Sequence, residues 1–257
     1  MNRIVGRTAL VTGATSGIGE ATARALASRG ARLALCARRE ERLFDLMEEL
    51  VREHGVEVRP RVLDVGDRAA VETWAEDLKD QDFEPDILVN NAGLARGLDL
   101  VHEGSRDDWE EMIDTNVKGL LWVTRAFVPG MVRRNRGHVV NIGSIAGHWV
   151  YPKGAVYCAT KFSVRALSEG LNMDLVGTRV RVSSVDPGLV ETEFSEVRFH
   201  GDAERAERVY EGYEPLSSED VADVVLWIVN APEHVDIFDV VVMPTDQRHA
   251  TVLHKEA

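Results

Sequence analysis

Short apolar runs alternate with segments of helical period along the whole chain, and this alternation restricts the folds that the chain can adopt. The runs predicted as strands are residues 8–12, 32–37, 57–63, 86–90, 138–142, 180–185 and 238–242. The segments between them are long enough for right-handed crossovers, which connect parallel strands. The sequence therefore predicts an α/β fold: a doubly wound, seven-stranded parallel sheet with helices on both faces.

The helices are predicted at residues 20–28, 40–54, 67–80, 106–134, 155–176 and 217–230. Gly119 and Pro129 lie inside the longest of them and predict a kink or an early end there. Residues 191–215 show no clear period, and we expect a substrate loop, because irregular segments of that length in compact domains are usually functional or disordered. With residues 243–257 as a C-terminal extension, the prediction is a single dinucleotide-binding catalytic domain over residues 1–257.

Charge and composition disfavour several classes of protein. The chain has 257 residues and a net charge of −13, and its basic residues form no long run, which argues against binding to nucleic acid or a membrane surface. No apolar run reaches the roughly 18 residues of a membrane span, and the first residues lack the pattern of a signal peptide. Two cysteines and scattered histidines form no disulfide or metal-binding motif. We therefore expect a cytoplasmic protein with no metal site.

Tyr157 and Lys161 stand four residues apart in a predicted helix, so their side chains project from the same face. A lysine ammonium near a phenol favours the phenolate, which lowers the pKa of the tyrosine and makes it a proton donor and acceptor near neutral pH. Ser144 would then hydrogen-bond the oxygen that gains or loses that proton. Taken alone, the pair leaves open an ordinary solvated tyrosine and lysine.

A glycine-rich turn follows the first predicted strand. Gly13, Gly17 and Gly19 are spaced as G-x-x-x-G-x-G directly before a predicted helix. Glycine permits positive φ and lets the backbone approach a pyrophosphate, while the helix N-terminus offers unpaired N–H groups. The turn indicates a bound dinucleotide, although many α/β proteins close their first loop in a similar way.

The end of the second predicted strand indicates which dinucleotide is bound. A carboxylate there would bind the adenosine ribose 2′-hydroxyl of NAD. This chain instead has Arg38 and Arg39 after Ala37, with no carboxylate before Glu40. Two guanidiniums suit a 2′-phosphate, which favours NADP, and the alternative is a pair of solvated arginines at the start of a helix.

Seven motifs occur together in an order and spacing that resemble the short-chain dehydrogenase/reductase family over nearly the whole chain. They are TGATSGIG at the glycine turn, Asp64-Val65, NNAG at residues 90–93, Asn116, Ser144, YxxxK at residues 157–161 and Pro187-Gly188. Within that family, the stretches DTNVKGL, PGMVRRNRGHVVNIGS and DPGLVETEFSEVRF resemble the NADP-dependent 3-hydroxy acid dehydrogenases, of the serine 3-dehydrogenase and malonic semialdehyde reductase type. The resemblance implies a Rossmann-like fold and an oxidoreductase.

The activity implied by this resemblance is hydride transfer between NADP(H) and short 3-hydroxy acids, such as serine or the pair 3-hydroxypropionate and malonic semialdehyde. The family also implies a homotetramer. Two alternatives stay open. One is a broad-specificity NADPH-dependent carbonyl or 3-oxoacyl reductase, and the other is a catalytically silent NADP-binding sensor or scaffold.

The resemblance further implies roles for individual residues. Tyr157 would be the general acid/base, and Lys161 would lower its pKa and bind the nicotinamide ribose. Ser144 would polarise the substrate carbonyl, and Asn116 would anchor a water that links Lys161 to solvent. Asn90 is expected to brace the sheet. The residues implied to contact the cofactor are Gly13, Thr15, Ser16, Gly17, Ile18, Gly19, Arg38, Arg39, Asp64, Val65, Asn91, Ala92, Gly93, Tyr157, Lys161, Pro187, Gly188, Val190 and Thr192.

A 3-hydroxy acid carries a carboxylate, so a cation should face the nicotinamide pocket. Arg96, Lys153 and Arg198 lie in segments that can supply it. We favour Arg198 because it lies in the loop expected to close over the substrate, and the alternative is a solvated loop arginine. Together with Ser144 and Tyr157, Arg198 makes up the expected substrate contacts.

Overall fold

The computed structural model describes residues 2–256. Its main sheet consists of β1 (Thr8–Thr12), β2 (Arg32–Ala37), β3 (Val58–Val62), β4 (Ile87–Asn90), β5 (Gly137–Ile142), β6 (Val180–Pro187) and β7 (Asp239–Val242). The strand order is β3-β2-β1-β4-β5-β6-β7, and every neighbouring pair is parallel. The predicted doubly wound, seven-stranded α/β fold is confirmed.

Helices cover both faces of this sheet. They are α1 (Gly17–Ser28), α2 (Glu40–His54), α3 (Arg68–Asp80), α4 (Arg106–Ile113), α5 (Leu120–Arg134), α6 (Ala155–Asp174), α7 (Phe194–Arg198), α8 (Ala203–Glu207) and α9 (Ser218–Val229). Apolar side chains of α1, α2 and α9 pack on one face, and those of α3 and α5 pack on the other. Within residues 2–256, no helix combines the length and the hydropathy needed to span a membrane.

Both faces of the sheet are buried, which explains why the central strands consist almost entirely of apolar residues. All five residues of β1 are buried. Ala9 and Val11 belong to the core on one face, whereas Leu10, between them, belongs to the core on the other. Successive side chains of a strand point to opposite faces, so a strand covered on both sides needs apolar residues at nearly every position.

The buried amide of Asn90 braces the sheet, as predicted. Its Nδ2 donates to Asn141 Oδ1 at 2.8 Å and to Thr124 Oγ1 at 3.1 Å. Asn141 Nδ2 in turn donates to Ser168 Oγ at 2.8 Å. This network ties the carboxyl end of β4 to β5, α5 and α6, and so fixes the elements that carry the candidate site.

The long helix predicted at residues 106–134 has its irregularity elsewhere than at the proline. A π-helical segment, Asp114–Gly119, joins α4 to α5, and Pro129 lies inside α5 without ending it. A Cβ on Gly119 would lie only 2.6 Å from Val65 Cγ2, so glycine permits close packing here. The helix ends at Arg134, where Asn135 adopts a left-handed φ of 49°. The predicted irregularity at Gly119 is thus present, whereas an end of the helix at Pro129 is wrong.

Two segments are more ordered than their sequence pattern indicates. Residues 191–215 contain α7 and α8, and Tyr210 ties this segment together by donating to Val190 O at 3.0 Å and contacting Ser195 Oγ at 2.8 Å. The C-terminal extension forms an antiparallel hairpin of β8 (Gln247–His249) and β9 (Val252–Leu253). Gln247 Oε1 accepts a hydrogen bond from Leu189 N at 2.9 Å, so long-range contacts rather than local period order the extension.

Candidate functional site

A cavity of about 570 Å³ opens at the carboxyl ends of the parallel strands. These ends lie at one edge of the sheet, which brings together motifs that are distant in sequence. The predicted site residues that line the cavity are Gly13, Thr15, Ser16, Gly17, Ile18, Arg38, Arg39, Asp64, Val65, Asn91, Ala92, Gly93, Ser144, Tyr157, Lys161, Pro187, Gly188, Val190, Thr192 and Arg198. Gly19 and Asn116 were also predicted for the site, but they do not line the cavity.

Tyr157 and Lys161 lie on α6, one turn apart, and both are buried. Lys161 Nζ donates to Ile142 O at 2.9 Å and lies 6.0 Å from the centroid of the Tyr157 ring. Ser144 follows β5 and begins a short 3-10 turn, where its Oγ accepts a hydrogen bond from Ala146 N at 3.1 Å. The hydroxyl, phenol and ammonium groups therefore meet at one end of the cavity.

The electrostatics of this pair differ from the sequence-based expectation. Burial raises the pKa of Tyr157, while the charge of Arg198 and a hydrogen bond with Ser144 act in the opposite direction. Arg198 Cζ lies 5.1 Å from the centroid of the Tyr157 ring. Burial also lowers the pKa of Lys161 to about 8. The Lys161 ammonium donates to the Ile142 carbonyl, and Arg198 is a cation whose charge lowers the pKa of Tyr157 here. The predicted effect of Lys161 on the Tyr157 phenolate stays a prediction.

Asn116 lies in the π-helical segment, and its amide is fully engaged with neighbouring groups. Its Oδ1 accepts from Leu94 N at 2.8 Å, and its Nδ2 donates to Leu94 O at 2.8 Å and to Thr160 Oγ1 at 3.0 Å. A Cβ on Gly93 would lie 3.2 Å from Asn116 Oδ1 and 3.7 Å from Lys161 Nζ. Asn116 thus fixes the loop after β4 against α6, beside the lysine.

The glycine turn brings backbone groups close together in front of α1. Gly13 and Gly17 adopt positive φ values of 65° and 51°. A Cβ on Gly19 would lie 2.3 Å from both Gly13 O and Asn91 Nδ2. The Asn91 amide donates to Thr12 O at 2.9 Å, so it braces the turn in addition to lining the cavity. The side chain of the N-cap residue Ser16 makes no capping hydrogen bond, which leaves the first N–H groups of α1 available to an anion.

Arg38 and Arg39 lie at the mouth of the cavity, next to this turn. Arg39 Nη2 donates to Thr15 O at 2.9 Å, and its Nη1 forms an ion pair with Glu193 Oε2 at 2.7 Å. Arg38 Nη1 lies 3.8 Å from Asp64 Oδ2 and 3.5 Å from Glu111 Oε1. Both guanidiniums are partly exposed, and the turn holds Arg39 in place. The two arginines provide a cationic site at the end of β2.

Arg198 differs from the other candidate cations in what it contacts. Its Nη2 donates to the Tyr151 hydroxyl at 2.5 Å, and its Nε is buried without a hydrogen-bond partner among residues 2–256. Arg96 forms a two-pronged ion pair with Glu111, at 2.7 and 3.1 Å. Lys153 does not line the main cavity. Arg198 is therefore the candidate that faces the cavity without a bound carboxylate.

Among the residues at or beside the site that were not predicted from the sequence, Gln247 and Asp186 make the most specific contacts. Gln247, from the C-terminal hairpin, lines the cavity and would lie 2.4 Å from a Cβ on Gly188. Asp186 is buried directly behind Ser144, and its Oδ1 accepts from Ser144 N at 3.1 Å. Asp186 immediately precedes the Pro187-Gly188 motif, which was the available signal. Gln247 lies in no motif, so no local signal was available for it.

The shape and the charged groups of the cavity test whether the predicted dinucleotide fits. Glycines at positions 13, 17 and 19 form a cradle that a Cβ would fill, and α1 directs free N–H groups toward it. Arg38 and Arg39 line the cavity, with Arg39 bound to the glycine turn, and the Tyr157–Lys161 pair lines the same cavity. The arrangement suits an elongated, phosphate-bearing ligand whose far end reaches the phenol.

Comparison with known proteins gives consistent results. A family model described as short chain dehydrogenase matches residues 7–203. The NADP-dependent 3-hydroxy acid dehydrogenase YdfG of Salmonella typhi is 51% identical over 242 residues, which cover 94% of this chain and 96% of that protein. The NADP-dependent 3-hydroxy acid dehydrogenase of Schizosaccharomyces pombe is 42% identical over 257 residues, 100% of this chain and 99% of that one. A solved closed form of serine dehydrogenase, complexed with NADP+, has 47% identity and a TM-score of 0.90, covering 97% of this chain and 100% of that chain.

We expect Gly19→Ala and Gly170→Ala to have opposite effects on stability, although both glycines are helical. Alanine is intrinsically better than glycine in a helix by about 1 kcal/mol, and a Cβ on Gly170 meets nothing within 4 Å, so Gly170→Ala should stabilise by about that amount. At Gly19 the Cβ meets backbone and amide atoms, and the substitution should cost about 2 kcal/mol or more. Urea unfolding measures both. Equal effects would show that the turn is not tightly packed.

Proposed function

The chain belongs to the short chain dehydrogenase family, and from this premise we propose that it transfers a hydride between NADP(H) and short 3-hydroxy acids. The substrates proposed are serine-like acids and the pair 3-hydroxypropionate and malonic semialdehyde. The single observation that carries the choice of substrate is the position of Arg198. It stands beside Tyr157 in the cavity and makes no ion pair with a carboxylate in the described part of the chain.

NADP(H) would lie along the glycine cradle, with its 2′-phosphate at Arg38 and Arg39. Backbone N–H groups at the start of α1 are suited to the pyrophosphate. Val190 and Thr192 line the same cavity, together with Pro187-Gly188. When bound, the cofactor supplies or accepts the hydride. Side chains of this protein would bind the substrate and transfer the proton.

Tyr157 is the proposed general acid/base. Burial keeps its pKa high, so the hydroxyl carries its proton at neutral pH and can donate it to the oxygen of a substrate carbonyl as the carbon is reduced. In the oxidation direction the same oxygen takes the proton back. Ser144 would hold the substrate oxygen, and the Lys161 ammonium would stabilise the transient phenolate. No metal is needed for this chemistry.

Arg198 would bind the carboxylate of the acid. Its Cζ lies within 5.1 to 5.7 Å of the ring centroids of Tyr157, Phe194 and Tyr151. Three aromatic rings thus surround the guanidinium with apolar surface, and a surrounding of low polarity strengthens a charge-assisted hydrogen bond. A small substrate with a carboxylate two bonds from the reacting carbon would bind between the guanidinium and the Tyr157 hydroxyl.

We further propose a cytoplasmic homotetramer that binds neither nucleic acid nor membrane. Free, buried Cys36 and Cys158 suit a reducing compartment. Large apolar side chains remain exposed on two long helices, with relative exposures of 40% for Phe162 and 63% for Met173 on α6 and 38% for Val132 on α5. Such a surface suits contact with other copies of the chain. Sedimentation equilibrium should give four times the monomer mass of 28.5 kDa, and a monomer would contradict the proposal.

Arg39→Ala should weaken use of NADP(H) and leave NAD(H) nearly unaffected. Loss of a hydrogen bond between charged groups costs about 1.5 to 3 kcal/mol, which corresponds to roughly a 10- to 150-fold rise in KM for NADPH. Arg42→Ala is the matched control, because Arg42 also pairs with Glu193, at 2.6 Å, but does not line the cavity. An equal loss with NADH, or an equal effect of both substitutions, would contradict a 2′-phosphate site.

The substrate class is tested by initial rates on L- and D-serine, 3-hydroxypropionate and 3-hydroxyisobutyrate, each beside a matched neutral alcohol or ester. We expect the wild type to prefer the acids. Arg198→Ala should raise KM for the acids by about 10- to 100-fold, since it removes the carboxylate partner, and should change KM for neutral substrates little. Lys153→Ala is the control cation outside the main cavity. Activity confined to neutral substrates would instead indicate a general carbonyl reductase.

A further inference from the structure

Asp186 is a buried carboxylate in direct contact with the segment that carries Ser144. It lies near the end of β6 and is 1% exposed. Its Oδ1 accepts from Ser144 N at 3.1 Å and from Ser184 Oγ at 3.0 Å, and its Oδ2 lies 2.9 Å from His148 Nε2. The carboxylate thus has a defined partner on each oxygen.

The space for this carboxylate exists only because residue 143 is glycine. A Cβ on Gly143 would lie 1.7 Å from Asp186 Oδ1. Lys161 reaches the same three-residue segment from α6, where its Nζ donates to Ile142 O at 2.9 Å. Opposite charges therefore bind the two ends of residues 142–144: the ammonium binds the carbonyl of Ile142, and the carboxylate binds the amide of Ser144.

We propose that Asp186 is a positioning residue: its carboxylate fixes the turn that aims Ser144, and it supplies the buried negative charge that faces the Lys161 ammonium. This inference rests on the proposed function, since it assigns a role within the same Ser–Tyr–Lys site. His148 takes part in this positioning, because its ring contacts Asp186 Oδ2 while Asp186 Oδ1 accepts from the turn.

The electrostatics agree with this geometry. Burial raises the pKa of Asp186 to about 6; the hydrogen bond from His148 acts against this rise, and a hydrogen bond with Asp239 adds to it. For Lys161, burial lowers the pKa to about 8, and the charge of Asp186 opposes that fall. The titratable groups that face Asp186 are His148 after the 3-10 turn, Asp239 on β7 and Lys161 on α6. Near neutral pH, an ionised Asp186 helps to keep Lys161 protonated.

His148, Asp186 and Asp239 also place one oxygen or nitrogen each within 4.8 Å of one another. We interpret this trio as a hydrogen-bonded network, because His148 Nε2 already contacts Asp186 Oδ2 and the other Asp186 oxygen is engaged by Ser144 and Ser184. The network then acts within the site itself, because it holds residues 142–144 in place.

The test compares Asp186→Asn with Asp186→Ala in the full chain. Asparagine keeps an oxygen that can accept from Ser144 N–H but removes the charge, whereas alanine removes both. The chain has five lysines, at positions 79, 118, 153, 161 and 255. NMR of protein labelled with ¹³C-lysine therefore follows Lys161 directly, and a Lys161→Arg variant assigns its signal.

In Asp186→Asn, we expect the titration midpoint of Lys161 to move to lower pH, because the facing negative charge is gone. If the midpoint moves down by one pH unit from about 8, the protonated fraction falls about fivefold at pH 8 and changes little at pH 6. The rate of NADPH-dependent reduction should follow this pattern. Asp186→Ala should also lower kcat at pH 6, by about tenfold, because the Ser144 turn loses its acceptor.

Asp86→Asn is the matched control. Asp86 is also a buried carboxylate that accepts from a backbone amide, Thr8 N at 3.3 Å, but it lies at the opposite, amino-terminal edge of the sheet. Its replacement should lower stability without moving the Lys161 midpoint. An unchanged Lys161 midpoint in Asp186→Asn, or an equal loss of rate at pH 6 and pH 8, overturns the inference.

The two readouts also separate this inference from the proposed function. Wild-type protein that fails to turn over 3-hydroxy acids contradicts the proposed substrate, whereas the NMR titration needs no substrate and still decides the role of Asp186. If the protein reduces neutral carbonyl compounds instead, the same pH comparison applies to them, because Ser144, Tyr157 and Lys161 are used with either substrate class.

Discussion

The covering of the parallel sheet on both faces is the constraint on which the rest of this structure depends. Every crossover returns the chain in the same direction, so the carboxyl ends of the strands meet at one edge. Helices occupy both faces, which leaves this edge as the place where loops can surround a ligand. The glycine turn after β1, the arginines after β2 and Ser144 after β5 share one cavity for this reason.

Within that cavity, the chemistry depends on ionisable groups held in a region of low polarity. Burial opposes charge on Lys161, on the Tyr157 phenolate and on Asp186. The structure offsets these costs with specific contacts: a carbonyl for the ammonium, Arg198 beside the phenol, and an amide, a hydroxyl and an imidazole around the carboxylate. Because the groups interact, a change to one of them alters the proton affinity of the others.

The cations around the cavity are distinguished by their partners rather than by their type. Arg96 is neutralised by Glu111, and Arg39 is paired with Glu193 at the cavity mouth. Arg198 reaches the interior, contacts aromatic rings and a phenolic oxygen, and keeps its Nε without a partner in the described chain. A buried N–H group without an acceptor is costly unless an anion supplies the missing acceptor. For this reason we propose Arg198, rather than its neighbours, as the partner of an acidic substrate.

Local information in the sequence determined the order of strands and helices, the glycine turn, and the motif residues from Asn91 to Thr192, because periodicity and residue type carry that information. It misjudged Pro129, which α5 accommodates, and it missed the hairpin that carries Gln247. Only the tertiary structure decided that Asp186 meets Ser144 and that Arg198 lies beside Tyr157 and acts on its pKa. Those contacts join residues about 40 positions apart, as with the 42 between Ser144 and Asp186. These contacts depend on the register of the strands and on the positions of buried charged groups relative to one another. No local sequence pattern encodes either of them.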